Sequence, residues 1–222
     1  FPYTTLFRSM IRVTLKDGSV KEYNNGITIK EVVESISAGL ARAALAGEVD
    51  GIVKDLNYKL QKDCTLNLLT FESEGGRDAF RHTSSHIMAQ AVKRLYPEAK
   101  LAIGPAIDNG FYYDFDIDKP FSPEDLEKIE AEMSKIVKED SSLERFTLPR
   151  DEAIKFMEER NEPYKVELIR DLPEGEEISF YKQGDFVDLC AGPHIPSTGK
   201  VKAFKLLSVA GAYWRGNEKN KM

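Results

Sequence analysis

Met10-Ile-Arg-Val-Thr-Leu, Lys16-Asp-Gly-Ser and Val20-Lys-Glu-Tyr read in order as a strand, a turn and a strand. Apolar and polar residues alternate on both sides of Asp17-Gly18, and an Asp-Gly pair between alternating runs is a strong hairpin signal. Thr28 with Glu31 three residues later has the capping-box pattern, and Ile29, Val32, Val33 and Ile36 follow at helical spacing. An amphipathic helix is therefore expected after the hairpin. Past Gly39, the pieces Gly51-Ile-Val and Thr65-Leu-Asn-Leu-Leu are expected as further strands packing on that helix. Residues 10–71 thus read as a small β-grasp-like domain.

Glu72-Ser-Glu-Gly-Gly, residues 72–76, is polar and glycine-bearing and is expected to be a hinge before a second domain over 77–222. That domain should open with a helix over about 78–95, stopped by Pro97, with His82 and His86 one turn apart on its surface. Ser122-Pro-Glu-Asp announces another helix running to about Glu139, with an N-cap serine, proline at the first helical position and acids in the first turn. Gly110 to Phe115 alternates like a strand. Residues 178–181 and 186–189 around Gln183-Gly-Asp read as a hairpin that delivers Cys190, and residues 202–209 and 212–215 look like more strand. The expected fold class is α+β, a small β-grasp domain followed by a domain with an antiparallel sheet and long helices. Residues 1–9, F-P-Y-T-T-L-F-R-S, match neither a strand nor a helix pattern and read as a non-native, adapter-like leader ahead of Met10.

All three histidines and one of the two cysteines fall in two pairs of the same spacing, His82 and His86 in H-T-S-S-H, then Cys190 and His194 in C-A-G-P-H. These side chains serve as nucleophile, general base or metal ligand, so the pairs point at one site. Two chemistries fit. The four groups could hold a tetrahedral zinc ion, although H-T-S-S-H lacks the glutamate of the H-E-x-x-H metalloprotease helix. Without a metal, the same groups could position a water and stabilise an oxyanion. Asp188, two residues before Cys190, would share its strand face and orient an imidazole or bind an ammonium. Gly192-Pro193 enforces a turn inside the second pair. Cys64 has no such company and reads as packing.

With 41% apolar residues over 222, the chain can bury a sizeable core. No apolar run is long enough to span a bilayer, and two cysteines in unlike settings argue against a disulfide framework, so the cytosol is the expected compartment. Charge is uneven: residues 10–71 carry eight of each sign, whereas 72–222 carry 22 positive and 29 negative groups. That excess excludes a bulk electrostatic footprint for nucleic acid. Lys200, Lys202, Lys205, Arg215, Lys219 and Lys221 face only Glu218 at the end of the chain, which suits either a local nucleic-acid contact or a solvated basic edge.

The chain closely resembles the N-terminal part of bacterial threonyl-tRNA synthetases. The resemblance lies in R-H-T-S-S-H-I-M-A-Q-A at 81–91, A-I-G-P-A-I-D-N-G-F-Y-Y-D-F-D at 102–116 and P-Y-K-V at 163–166. It continues through F-V-D-L-C-A-G-P-H at 186–194 and G-A-Y-W-R-G-N-E-K-N-K-M at 211–222. It implies a TGS domain, a ubiquitin-like β-grasp module, followed by an editing domain that hydrolyses seryl-tRNA(Thr). Serine differs from threonine by one methyl group, which discriminates by only about 1–3 kcal/mol, so a second, hydrolytic sieve is the expected logic.

The family's editing residues map onto His82, His86, Tyr113, Lys165, Asp188, Cys190 and His194. The resemblance implies that His82 and Lys165 handle the attacking water and the leaving ribose oxygen, and that Asp188 recognises the seryl ammonium or hydroxyl. His86, Cys190 and His194 would shape the pocket, with Tyr113 lining it. Lys165 enters on the resemblance alone, since Pro-Tyr-Lys-Val by itself reads as a strand with a surface charge. Alanine there is expected to slow hydrolysis with little loss of folding. No cofactor is expected for editing; if zinc is bound, His82, His86, Cys190 and His194 would hold it, as in alanyl-type sites. The expected partner is the tRNA(Thr) acceptor end carrying serine, with no membrane contact. The family's aminoacylation domain, with its ATP and zinc, and its anticodon-binding domain are expected to be absent, so no ligase activity is expected from the chain alone. The family enzyme would be a homodimer and this piece a monomer. A non-catalytic tRNA-binding or regulatory fragment and a zinc-dependent hydrolase remain the alternatives.

Overall fold

The computed structural model describes residues 9–220. Of the expected leader, residues 1–8 lie outside the described residues, as do Lys221 and Met222; the carbonyl of Ser9 accepts the Asn25 N–H at 2.9 Å. The chain divides into two compact units, one of residues up to Phe80 together with Gly192–Pro196, the other of Arg81–Ala191 and Ser197 onward.

In the first unit, β1 (Met10–Leu15) and β2 (Val20–Asn24) form the expected hairpin. Asp17 Oδ1 accepts the Ser19 N–H at 2.9 Å across its turn. Helix α1 (Ile29–Ile36) begins at a complete capping box, the Glu31 N–H donating to Thr28 Oγ1 at 3.2 Å and the Thr28 N–H to Glu31 Oε2 at 2.8 Å. A short α2 (Ala38–Ala43), β3 (Ala46–Val49), β4 (Ile52–Lys54) and β5 (Cys64–Leu69) follow. The sheet runs β2-β1-β5-β3-β4, with β1 and β5 parallel and the other neighbours antiparallel. Val13, Leu60 and Leu66 meet Ile29, Val32 and Val33 of α1 in a closed core, each such side chain contributing roughly 1.5–3 kcal/mol by burial. Cys64 is a free, buried thiol of this core, as its sequence setting implied.

Helix α3 (Glu74–Leu95) starts earlier than expected and includes Gly75 and Gly76, so the latter part of the 72–76 stretch is helical. Close packing is the reason. Ser73 Oγ accepts the Gly76 N–H at 3.3 Å, and a Cβ on Gly76 would stand 2.0 Å from the Thr70 carbonyl oxygen, so glycine here permits backbone contact and does not loosen the chain.

The second unit is α+β. After α3 come four two-residue strands, β6 (Lys100–Leu101), β7 (Ala106–Ile107), β8 (Gly110–Phe111) and β9 (Phe115–Asp116), paired β6 with β9 and β7 with β8. The single strand expected over 110–115 is thus broken in the middle, where Tyr113 turns inward and is buried. Helix α4 (Pro123–Glu139) has the expected cap, the Asp125 N–H donating to Ser122 Oγ at 3.2 Å. Strand β10 (Leu143–Thr147) leads to α5 (Arg150–Glu159) and α6 (Pro163–Asp171), then β11 (Ser179–Gln183) and β12 (Phe186–Leu189) form the expected hairpin. These three strands make an antiparallel sheet in the order β10-β11-β12. Ala153, Met157, Val166 and Ile169 of α5 and α6 pack with Phe180 and Ile178 in its core.

Two expectations give way here. Pro-Tyr-Lys-Val is helical and not a strand, because Pro163 occupies the first turn of α6 and Val166 and Ile169 repeat at helical spacing into the core. Residues 202–209 and 212–213 form no strand. At Leu206 the backbone is held by a side chain instead, its N–H donating to Glu130 Oε1 at 2.6 Å, and Trp214–Gly216 is a single 3-10 turn.

Candidate functional site

Helix α3 supplies the first pair. Its hydrophobic face is not a stripe, because Thr83, Ser84, Ser85, His86, Ile87 and Gln90 are all buried, so His86 lies in the interior and not on the expected surface. Ser85 Oγ lies within hydrogen-bonding distance of the carbonyl oxygens of His82, at 2.8 Å, and Gly104, at 2.7 Å, tying the helix to the loop before β7. The rings of His82 and His86 meet edge to face with centroids 5.1 Å apart. His82 is half-buried and faces the end of β12, its Nε2 lying 3.3 Å from Cys190 Sγ. Cys190 is held by β11 on both sides of its peptide unit, its N–H donating to the Ser179 carbonyl at 3.0 Å and its carbonyl accepting Ser179 Oγ–H at 2.7 Å.

Asp188 projects from β12 into the core and gathers three groups. Lys165 Nζ pairs with its Oδ1 at 2.8 Å, Tyr113 Oη–H donates to its Oδ2 at 2.5 Å, and His86 Nε2 lies 3.8 Å from the same oxygen. Lys165 reaches this place because α6 points it inward; its ammonium also lies 5.3 Å from the centre of the Tyr113 ring. Gly104 lets the tyrosine in, since a Cβ there would stand 2.0 Å from the Tyr113 ring. Burial pushes the Tyr113 phenol well above its usual range, with the Asp188 charge adding to it, so Tyr113 remains a hydrogen-bond donor. Burial likewise holds the His86 imidazole well below 6.5, with lesser contributions from His82 and the Lys165 charge, so His86 is neutral near pH 7.

The second unit therefore brings together His82, His86, Tyr113, Lys165, Asp188 and Cys190. His194 is buried on Gly192–Pro196, a segment of the first unit, where its N–H donates to Asp55 Oδ1 at 2.7 Å. A metal fits the donor chemistry: His82, His86 and Cys190 offer two nitrogens and a sulfur within 4.8 Å of one another, a set and spacing that zinc accepts. Sequence reasoning from residue patterns alone missed the burial of Lys165 and the docking of α6. The available signal was Pro163 followed by Val166 and Ile169 at helical spacing. Of the basic groups near the end of the chain, Lys205 pairs with Glu130 and Arg215 with Glu167 and Asp171, so both are engaged within the unit.

Comparison with known proteins gives the family resemblance of each unit. Residues 11–70 match the TGS domain, and residues 178–222, which include Asp188, Cys190 and His194, match the threonyl and alanyl tRNA synthetase second additional domain. The chain is 85% identical over 213 residues to a threonine–tRNA ligase of Acetivibrio thermocellus, covering 96% of the chain and 34% of that protein. It is 67% identical over 213 residues to one of Clostridium tetani, covering 96% of the chain and 33% of the relative. With one of Caldanaerobacter subterraneus subsp. tengcongensis it shares 65% over 210 residues, covering 95% and 33%. The chain thus spans about a third of the length of the curated relatives it matches. In sequence and domain content it is similar to the N-terminal region of threonine–tRNA ligases, with a match to the TGS domain followed by one to the threonyl and alanyl tRNA synthetase second additional domain.

Proposed function

We propose that the second unit is an aminoacyl-tRNA hydrolase that clears serine from mischarged tRNA(Thr). The observation that carries this reading is the Lys165–Asp188 pair, buried in the interior one hydrogen bond from Tyr113 and beside two imidazoles and a thiol. An ammonium held there is a fixed positive charge where an ester hydrolase needs one. Water attacks the seryl carbonyl carbon, and the charge of Lys165 stabilises the oxyanion that forms. His82 accepts the water's proton and returns it to the ribose oxygen as the ester bond breaks, leaving serine and tRNA. Asp188, whose carboxylate already holds Lys165 and Tyr113, orients both and places negative charge opposite the seryl ammonium. His86 is neutral and, with Cys190, shapes the pocket that Tyr113 lines.

The test is the hydrolysis rate of seryl-tRNA(Thr), with threonyl-tRNA(Thr) alongside. Rapid loss of serine with threonine spared supports the reading; loss of neither, with salt-dependent binding of tRNA(Thr), replaces it with a non-catalytic tRNA-binding role. The part implied for His194 is tested in the same assay with His194→Ala, unchanged activity removing it. The donor set of His82, His86 and Cys190 favours one second reading, a zinc-dependent hydrolase in which the ion would polarise the substrate carbonyl. Stoichiometric zinc in the purified protein would be its signature.

A further inference from the structure

Glu162 is a buried carboxylate with no part in the roles above. It stands at the N-cap of α6, yet its side chain makes no capping bond to that helix. Its Oε1 pairs with Lys93 Nζ at 2.8 Å, and its Oε2 accepts the Leu101 N–H at 2.7 Å. Lys93 lies on α3 two turns beyond His86, and its ammonium is itself fixed by the carbonyl oxygens of Pro97, at 3.0 Å, and Ala99, at 2.8 Å. Lys165 lies one turn beyond Glu162 on α6. One carboxylate therefore links the helix that carries Lys165, the helix that carries His82 and His86, and the strand that leads to Gly104 and Tyr113. The nine residues of α6 are too few to hold a helix in water unaided, so its placement depends on such contacts.

We propose that Glu162 is a positioning residue, setting α6 against α3 so that the Lys165 ammonium meets Asp188. It acts through Lys165 and does not touch the substrate; the kinetic part rests on the hydrolytic reading given above. Glu162→Gln keeps an acceptor for Leu101 and loses the charge opposite Lys93, so the tie between α6 and α3 is weakened without a hole in the core.

The test uses the full chain and two readouts. Brief acetylation with acetic anhydride, read by mass spectrometry, reports the exposure of Lys165 against the exposed Lys135 as internal standard. In E162Q, Lys165 labelling relative to Lys135 is expected to rise about tenfold, and kcat on seryl-tRNA(Thr) to fall about 10- to 100-fold with KM within about twofold, as for loss of supporting contacts behind a site. Unchanged Lys165 labelling, or raised labelling with unchanged kcat, overturns the proposal. Should E162Q not fold, Lys93→Gln breaks the same pair from its more exposed side and is held to the same outcomes. A wild-type protein that does not hydrolyse seryl-tRNA(Thr) refutes the functional reading, while the labelling ratio still decides whether Glu162 places Lys165.

Discussion

Lys165 Nζ and Asp188 Oδ1 stand 2.8 Å apart with only 4% and 2% of their side chains exposed. Desolvating either ion alone costs several kcal/mol, so each is tolerable in the interior only because the other is present. This changes the expectation that alanine at Lys165 would leave folding almost untouched. Asp188→Asn should destabilise the protein by about 3–5 kcal/mol, since it strands the ammonium. The double variant Lys165→Met with Asp188→Asn should be more stable than the two single effects added together would make it. Urea denaturation of the three variants measures this, and strict additivity would argue against a buried pair.

Gly104 precedes the β7–β8 hairpin and Gly110 opens its second strand, and the two should respond to alanine with opposite signs. A Cβ on Gly104 meets the Tyr113 ring at 2.0 Å, whereas one on Gly110 meets nothing within 4 Å. Gly104→Ala should cost about 1–3 kcal/mol through overpacking and reduce hydrolysis by displacing Tyr113 from Asp188. Gly110→Ala should be neutral or stabilising by up to about 1 kcal/mol, through the unfolded chain. Thermal melts of the two variants side by side distinguish them.

His86 gives the fold a dependence on pH of known sign. In the unfolded chain its imidazole takes a proton near pH 6.5, whereas in the folded chain burial defers protonation to a well lower pH. Between those two values the unfolded state binds more protons, so stability is lost as pH falls from about 6.5 toward the depressed value, by at most about 1.4 kcal/mol per pH unit. Above that window the contribution is constant. Urea midpoints at about pH 5 and about pH 7.5 should differ less for His86→Asn than for the wild type, and an equal difference in both would place the titrating group elsewhere.

Removal of metal separates the two hydrolytic readings. On the metal-free reading, dialysis against a chelator leaves the rate on seryl-tRNA(Thr) within about twofold, because the Lys165 ammonium already supplies the positive charge. Loss of activity on chelation, restored by one equivalent of zinc, would assign the catalysis to an ion held by His82, His86 and Cys190.

Legible in the residue pattern were those features whose bonds close within a few residues. The Asp17-Gly18 turn, the caps at Thr28 and Ser122, and the hairpin over β11 and β12 formed where local pattern placed them, because each is decided by nearest-neighbour geometry. The two His and Cys pairs were legible for the same reason, as a spacing. Long-range packing is what makes Lys165 interior, turns Tyr113 out of its strand and leaves residues 202–209 outside any sheet. Each of these depends on a partner distant along the chain. Tyr113 and Asp188 are 75 residues apart, as Glu162 and Leu101 are 61 apart, and no local preference encodes such a meeting. Burying a charge is favourable only once its counter-charge has been placed beside it, and that placement is the work of the whole fold.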